Sequence, residues 1–374
     1  MTAHPIAKPR ARALGLKLLG IPGPNNAITD VPGVLVGFET LSSLQDPSLK
    51  TGDLPVQTGV TAVLPTGFEK TPRPVWAGQF SLNGNGEMTG SHWVKDGGYL
   101  VGPLLITNSH SVGAAHEAAT RWMADHYAQE WDNNHLWAMP VISETYDGVL
   151  NDINGFHVRP EHALRAIASA KDGAVAEGNV GGGAGMICYE FKGGTGTASR
   201  TVEFGNQSFT LGVLVQANHG IRPWLTVAGV PVGADMNEDR IPGFKTERGS
   251  IVCMIATDLP LSSGQLERLS RRASIGISRS GSPGGNNSGD IFIAFSTANK
   301  MPLPQFDGPW RTTISLNDEL LDVVYMAAIQ AIEEAVLNAL FAATDVPTAR
   351  PTGSICKAID TEKLLKLMRE KQAI

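Results

Sequence analysis

The dipeptide Gly249-Ser250 stands where a charged linker meets a strand-like apolar run. Residues 231–249 mix charged side chains with Gly and Pro, whereas Ser250–Thr257 is almost entirely apolar. A serine hydroxyl placed there can attack the preceding carbonyl, and an N→O acyl shift then gives an ester that water hydrolyses. Glycine tolerates the strained backbone that such a step needs. We therefore expect a precursor that cuts itself between Gly249 and Ser250.

This cut would expose an α-amine on the residue that carries the hydroxyl. An N-terminal amine has a pKa of roughly 7.7–8.0, so part of it is neutral near pH 7 and can act as a base. Ser250 would then supply both the nucleophile and a proton acceptor. The competing interpretation of the same residues is the plain start of a buried strand.

Two polar clusters at predicted strand ends supply further candidate groups. The Gly-rich loop Pro283–Asp290 brings Ser288 and Asp290 to the start of one strand-like run, and Asn218 ends another. Amidases place proton carriers and oxyanion donors at such positions. Asx-type turns have the same composition, so the two clusters by themselves leave both interpretations open.

Sequence signatures of metal and nucleotide sites are missing or incomplete. His116-Glu117 imitates the zinc motif H-E-x-x-H but lacks the second histidine. The run Gly181–Gly185 matches neither G-x-G-x-x-G nor the P-loop, so close backbone packing explains it better. We predict no metal and no cofactor. A non-enzymatic protein whose Gly-rich loops merely line a ligand pocket is a further interpretation.

The composition argues against several classes of partner. The 374 residues are 42% hydrophobic and carry a formal net charge of −6, a globular profile that does not attract nucleic acid. No apolar run approaches the ~20 residues that span a bilayer, so no membrane contact is expected. The three cysteines are widely spaced and odd in number. They favour a reducing compartment, which predicts a cytoplasmic protein.

Short β-branched runs alternate with helical patterns along the chain, as in layered α/β proteins. One large α/β unit is common at this length, so we expect a single catalytic domain over 1–374. The most apolar helical pattern, 318–342, is expected to lie sandwiched between layers. The main predicted strands are Val60–Leu64, Leu211–Ala217, Ser250–Thr257 and Ile291–Phe295. The main predicted helices are Ser111–Tyr127, Glu161–Lys171 and Asp318–Ala342.

Three motifs, in order along the chain, resemble one family: Ser143–Gly148, Glu247–Ser250 and Gly284–Asp290. It is the L-aminopeptidase/D-Ala-esterase-amidase (DmpA) family, which also holds the β-aminopeptidases, and the resemblance covers essentially the whole chain. It implies a four-layer αββα sandwich, similar in layering to N-terminal-nucleophile hydrolases but different in connectivity. It also implies an α chain (1–249) and a β chain (250–374), assembled into a homotetramer of such pairs.

The same resemblance implies roles for the candidate residues. Ser250 would be the nucleophile, with either its own amine or Ser288 carrying the proton. Tyr146 and Asn218 would stabilise the oxyanion. Asp290 would orient Ser288.

Glu144 is implied to bind the free amino group of the substrate. It lies two residues before Tyr146, so in extended chain both side chains face the same side. The enzyme would release single N-terminal residues from small peptides, amides and esters. Its substrates would be L-aminoacyl peptides and D-Ala amides and esters, with β-peptides as a further class.

One other class of enzyme shares this layering and also cuts itself, the ornithine acetyltransferase-like proteins. They use a threonine nucleophile, whereas the junction here offers Ser250. A serine favours hydrolysis over acyl transfer to glutamate.

Overall fold

The computed structural model describes residues 8–50, 52–243 and 246–374. Met1, where we expect the α chain to begin, lies outside the described residues, as do Phe244 and Lys245 in the charged linker. In chain order, the strands are β1 (Leu35–Ser42), β2 (Gln57–Leu64), β3 (Val75–Ser81), β4 (Tyr99–Leu100), β5 (Leu104–Asn108), β6 (Val141–Thr145), β7 (Ile187–Cys188), β8 (Phe191–Lys192), β9 (Gly194–Phe204), β10 (Gln207–Asn218), β11 (Thr226–Val227), β12 (Val230–Pro231), β13 (Ser250–Thr257), β14 (Gly289–Ser296), β15 (Val346–Pro347) and β16 (Ile355–Cys356).

The α-helices lie between these strands or follow them, and most are shorter than three turns. Among the described residues, no helix is long and apolar enough to cross a membrane. The helices are α1 (Ser91–Gly97), α2 (Val112–His126), α3 (Ala128–Asn133), α4 (Pro160–Ala168), α5 (Ser263–Arg271), α6 (Ala273–Ser278), α7 (Leu321–Ala342) and α8 (Thr361–Glu370).

Two sheets pack face to face between two helical layers. One has the strand order β1-β2-β5-β6, and the other β4-β3-β14-β13-β10-β9. Residues such as Val63 and Val252 fill the space between the sheets. Helices α2 and α4 cover the four-stranded sheet, and α5 and α7 cover the six-stranded sheet. This is the αββα sandwich that the resemblance implied.

Strand β13 lies at the centre of the six-stranded sheet, with β10 antiparallel on one side and β14 parallel on the other. Its apolar residues alternate between two cores: Ile251 and Ile255 face the helices, whereas Val252 and Met254 face the other sheet. A strand buried on both faces needs the continuous apolar run seen in the sequence. The chain from Ser250 onward is therefore held on a rigid element.

Helix α7 is nearly all buried. It packs on β9 and β10 in an outer layer, and the N-terminal segment covers part of its other side. The Ala11 N–H donates to Asn338 Oδ1 at 3.0 Å, and Arg12 pairs with Glu334 at 2.9 Å. Helix α6 also packs on α7, and cover from several elements explains why most faces of the helix are apolar.

The predicted strands are all present, and the helix ends differ slightly. Helix α4 ends at Ala168, earlier than the predicted Lys171, because Lys171 pairs as a β-bridge with Val36. Helix α2 begins one residue after Ser111, which is its N-cap.

Candidate active site

Ser250 is the first residue of β13 and stands between the ends of two neighbouring strands. Its register partners are Asn218, the last residue of β10, and Gly289, the first residue of β14. The serine is only 4% exposed. Two of the predicted polar clusters therefore meet at the predicted nucleophile.

The carbonyl of Gly249, which Ser250 would attack, already has a hydrogen-bond donor. The Gly289 N–H donates to the Gly249 oxygen at 3.4 Å. A Cβ at position 249 would lie 2.0 Å from the Asn218 carbonyl oxygen, so only glycine fits this close approach. A backbone N–H aimed at a carbonyl oxygen can stabilise the negative charge that develops there during attack.

The side chain of Asn218 is fixed at both ends of its amide. Its Oδ1 accepts from the Ile187 N–H at 2.8 Å, and its Nδ2 donates to the Tyr146 carbonyl at 3.0 Å. The amide nitrogen carries two protons, so the second one can serve an oxyanion. Asn218 therefore lies beside Ser250 with its amide nitrogen available as a donor.

Ser288 and Asp290 form a buried pair at the start of β14. The Ser288 hydroxyl donates to Asp290 Oδ1 at 2.6 Å. Asn83 binds Asp290 through two hydrogen bonds. Its Nδ2 donates to the carboxyl Oδ2 at 3.1 Å, and its Oδ1 accepts from the Asp290 backbone N–H at 2.6 Å. Burial raises the pKa of Asp290, against the opposing effect of the bonds from Ser288 and Asn83. The carboxyl group is therefore placed to orient the Ser288 hydroxyl.

Glu144 lies in a cavity of about 340 Å³ that Ser250 and Tyr146 also line; we call it the amine cleft. Its Oε1 accepts from the Glu87 N–H at 2.9 Å, and its Oε2 accepts from the Ser109 hydroxyl. Burial raises the pKa of Glu144, while these two bonds oppose the rise. The structure thus brings Glu144, Tyr146 and Ser250 to one cavity.

The Tyr146 side chain borders this cleft and is half-exposed. Its hydroxyl lies over Gly148, where an added Cβ would come within 2.3 Å of it. The hydroxyl therefore lies close to the Gly148 backbone at the wall of the cleft.

Comparison with known proteins identifies the family. Residues 26–352 match peptidase family S58. The chain belongs to peptidase family S58. It is 51% identical over 348 residues to a β-peptidyl aminopeptidase from Sphingosinicella microcystinivorans, with 90% of this chain and 86% of the relative covered.

Solved structures place this S58 peptidase in the same fold family. The L-aminopeptidase D-Ala-esterase/amidase from Ochrobactrum anthropi, described as a prototype serine aminopeptidase with a variant N-terminal-nucleophile hydrolase fold, is 54% identical with a TM-score of 0.93, covering 98% of this chain and 99% of that one. A Burkholderia sp. β-aminopeptidase is 43% identical with a TM-score of 0.87, covering 97% and 99%.

These findings place the chain among the serine aminopeptidases of family S58. It acts on peptide and amide bonds. It is an enzyme and not a bare ligand-binding protein, and its relatives are peptidases rather than ornithine acetyltransferase-like acyl transferases.

Several supporting residues of the S58 site were not predicted from the sequence. Asn83 supports Asp290, as described above, and the Asn85 side chain donates to the Asn287 carbonyl at 2.7 Å. The sequence does contain a signal for them, because Asn83–Gly86 is a doubled Asn-Gly turn pattern. That pattern predicts a turn, but it does not say which distant loop the turn will contact.

An ion cluster holds the linker upstream of Gly249. It consists of the buried Glu190 and Arg222 and the part-exposed Arg240, and we call these three residues the linker clamp. Arg222 is 1% exposed and donates to the carbonyls of Met236 and Glu190, both at 2.7 Å. Arg240 donates from Nε and Nη2 to the two carboxylate oxygens of Glu190, at 2.7 and 2.8 Å. The clamp fixes where the linker begins its approach to the cleavage point.

His219 follows Asn218 in the chain but is a packing residue. Burial lowers its pKa to about 3, so the imidazole is neutral at physiological pH. Its ring packs edge-on against Tyr189 with the centroids 5.2 Å apart. Within residues 8–50, 52–243 and 246–374, no group of three or more His, Cys, Asp or Glu side chains is placed to hold a metal ion.

Proposed function

We propose that the chain cuts itself between Gly249 and Ser250, and that the new N-terminal serine then hydrolyses the bond next to a free amino group. The observation that carries this proposal is the position of Ser250, at the start of a buried strand between Asn218 and Gly289. The products would be an α chain of residues 1–249 and a β chain of residues 250–374.

In the self-cleavage, Ser250 Oγ attacks the Gly249 carbonyl carbon. The Gly289 N–H stabilises the oxyanion, with the Asn218 amide as the second donor. Collapse breaks the C–N bond, the Ser250 nitrogen takes up the proton that the Oγ hydroxyl loses, and an ester joins Gly249 to Oγ. Water then hydrolyses this ester, which frees the Gly249 carboxylate and the hydroxyl.

In the mature enzyme, Ser250 Oγ attacks the substrate carbonyl in the same place. The hydroxyl proton passes to the Ser250 α-amine or through Ser288, which Asp290 orients. The leaving amine or alcohol departs with a proton, and water hydrolyses the remaining acyl ester. We assign Asn218 and Tyr146 as oxyanion donors, with the Gly289 N–H beside them.

Glu144 selects substrates in this proposal. A buried carboxylate in the amine cleft attracts an ammonium group, and the contact places the first carbonyl at Ser250. The substrates would be small L-aminoacyl peptides, D-Ala amides and esters, and β-peptides. The relatives described above include an L-aminopeptidase D-Ala-esterase/amidase and a β-peptidyl aminopeptidase.

The test of this function compares an L-aminoacyl p-nitroanilide with its N-acetyl form. We expect the free amine to be hydrolysed and the acetylated form to be ignored, because acetylation removes the charge that Glu144 binds. Equal hydrolysis of the two compounds would contradict the anchor.

We further propose a homotetramer of αβ pairs that works in the cytoplasm without nucleic acid or membrane partners. Exposed apolar side chains, Trp310, Val323 and Met326 among them, offer surface for contacts between copies. All three cysteines are free and buried, which is typical of a reducing compartment. Light scattering tests the assembly: a mass near 39.6 kDa, that of one chain, would contradict it.

A further inference from the structure

A second cavity, of about 260 Å³, lies beside the amine cleft; we call it the apolar cavity. Its walls include Val149, Ile187, Tyr146 and Asn218. It has no assigned role in the reaction described above. Val149, Ile187 and the Tyr146 ring form its apolar side. The Asn218 amide, Thr246 and Arg248 form its polar side.

The two cavities share three lining residues, Tyr146, Arg248 and Gly249. The last residues of the linker therefore form a wall between them in the uncut chain. Arg248 is exposed, whereas Glu247 is buried and its Oε1 accepts from the Gly220 N–H at 2.7 Å. Cleavage gives Arg248-Gly249 a free end, so these two residues can move away while Glu247 stays anchored. The two cavities then become one.

A substrate in the joined cavity has a defined direction. Its ammonium lies at Glu144, and its reacting carbonyl lies at Ser250 with the oxygen toward Asn218. The chain beyond the carbonyl continues away from Glu144, past Asn218, and enters the apolar cavity. We propose that this cavity binds the leaving residue of the substrate and prefers an apolar side chain there. This assignment rests on the proposed function.

The volume of the apolar cavity, about 260 Å³, corresponds to about nine water molecules at ~30 Å³ each. This is enough room for one amino-acid side chain. Val149 is part-buried in its wall and has no proposed role in the chemical step. Each methylene that a hydrophobic pocket gains or loses changes discrimination by roughly 10–200-fold. A polar residue at position 149 should therefore weaken the preference for an apolar leaving residue.

The experiment measures kcat/KM for alanine amide, alanyl-leucine and leucine amide with the wild type and Val149→Ser. We expect the ratio for alanyl-leucine over alanine amide to fall about tenfold, and the ratio for leucine amide over alanine amide to stay unchanged. Ile314→Ser, at an exposed position, is the matched control and should change neither ratio. Val149→Ile, which narrows the cavity, should lower the same ratio without adding polarity.

Two results would overturn the assignment. If Val149→Ser and Val149→Ile leave the alanyl-leucine ratio unchanged, the leaving residue does not occupy the cavity. If they change the leucine amide ratio instead, the cavity binds the N-terminal side chain. Failure of the proposed function is distinguishable, because the wild type would then hydrolyse none of the three compounds.

Discussion

The backbone amide of Gly289 donates a hydrogen bond to the carbonyl oxygen of Gly249, across 3.4 Å. This bond links the start of β14 to the residue just before β13. It places a donor on the one carbonyl that Ser250 would attack in its own chain. Because β13 and β14 are paired along their whole length, the same donor stays available for a substrate carbonyl after cleavage.

Replacing Gly249 with alanine should slow self-cleavage strongly. The new Cβ would lie 2.0 Å from the Asn218 carbonyl oxygen. The backbone must therefore shift, and this weakens the hydrogen bond from the Gly289 N–H to the carbonyl oxygen of residue 249. We expect intact chain to accumulate on a denaturing gel over a time course. Gly113→Ala is the control, since position 113 has open space around it; equal cleavage rates in the two variants would refute the steric argument.

Removing the proposed oxyanion donor should reduce catalysis with little change in substrate binding. Asn218→Ala should lower kcat by on the order of 10²–10³, measured on enzyme that has already been cut. Its partner Ile187 N–H loses an acceptor in that variant, so thermal unfolding should be measured in parallel. A kcat near that of the wild type would exclude Asn218 from the chemical step.

Ser288→Ala tests the buried pair at the start of β14. The hydroxyl donates to Asp290 at 2.6 Å and fills little volume, so we expect a large loss of kcat with an almost unchanged melting temperature. Asp290→Asn, which keeps the shape but loses the charge, should reduce kcat as well. If neither change affects the rate, the loop is an ordinary turn and the α-amine carries the proton alone.

Local patterns in the sequence predicted the main strands and the layered α/β class, and they singled out Ser250, Ser288 and Asp290 as candidates, whereas the αββα arrangement came from the family resemblance. The apolar run from Ser250 and the Gly-rich loop before Asp290 can each be recognised from a few consecutive residues. The contact between Gly289 and Gly249 could not be predicted in this way, because it depends on which strands become neighbours. The same limit applies to Asn83. The sequence predicts its turn, but its contact with Asp290 joins residues far apart in the chain.

The linker clamp should control the rate of self-cleavage and not the rate of the mature enzyme. Glu190→Gln weakens both hydrogen bonds from Arg240, so the linker approaches Gly249 with less restraint. We expect slower cleavage of fresh precursor, followed by wild-type kcat once cleavage is complete. Glu203→Gln, at an exposed position on β9, is the control, and an equal effect there would contradict a role for the clamp.

The pH dependence of substrate binding should follow Glu144. Burial raises its pKa, so the carboxylate takes up a proton at a higher pH than an ordinary glutamate does. KM for an aminoacyl p-nitroanilide should therefore rise as the pH falls through this raised pKa, because the protonated group no longer attracts an ammonium. Glu144→Gln should have a high KM at every pH and lack this step.

The same shift has a defined effect on stability. A carboxyl group whose folded-state pKa is raised contributes stability fully below its unfolded pKa, and this contribution is lost as the pH rises through the folded value. Glu144→Gln should therefore flatten that part of the pH dependence of the melting temperature. An unchanged pH profile of both KM and melting temperature would contradict the buried, raised carboxyl group.

The most direct test of the account is the intact mass of purified wild type beside that of Ser250→Ala. We predict two fragments for the wild type, one of which begins at Ser250. We predict a single inactive chain of 39.6 kDa for the variant, because no hydroxyl is left to attack Gly249. A Ser250→Ala protein that is still cut after Gly249, or a wild type that is active as one uncut chain, would contradict the central claim.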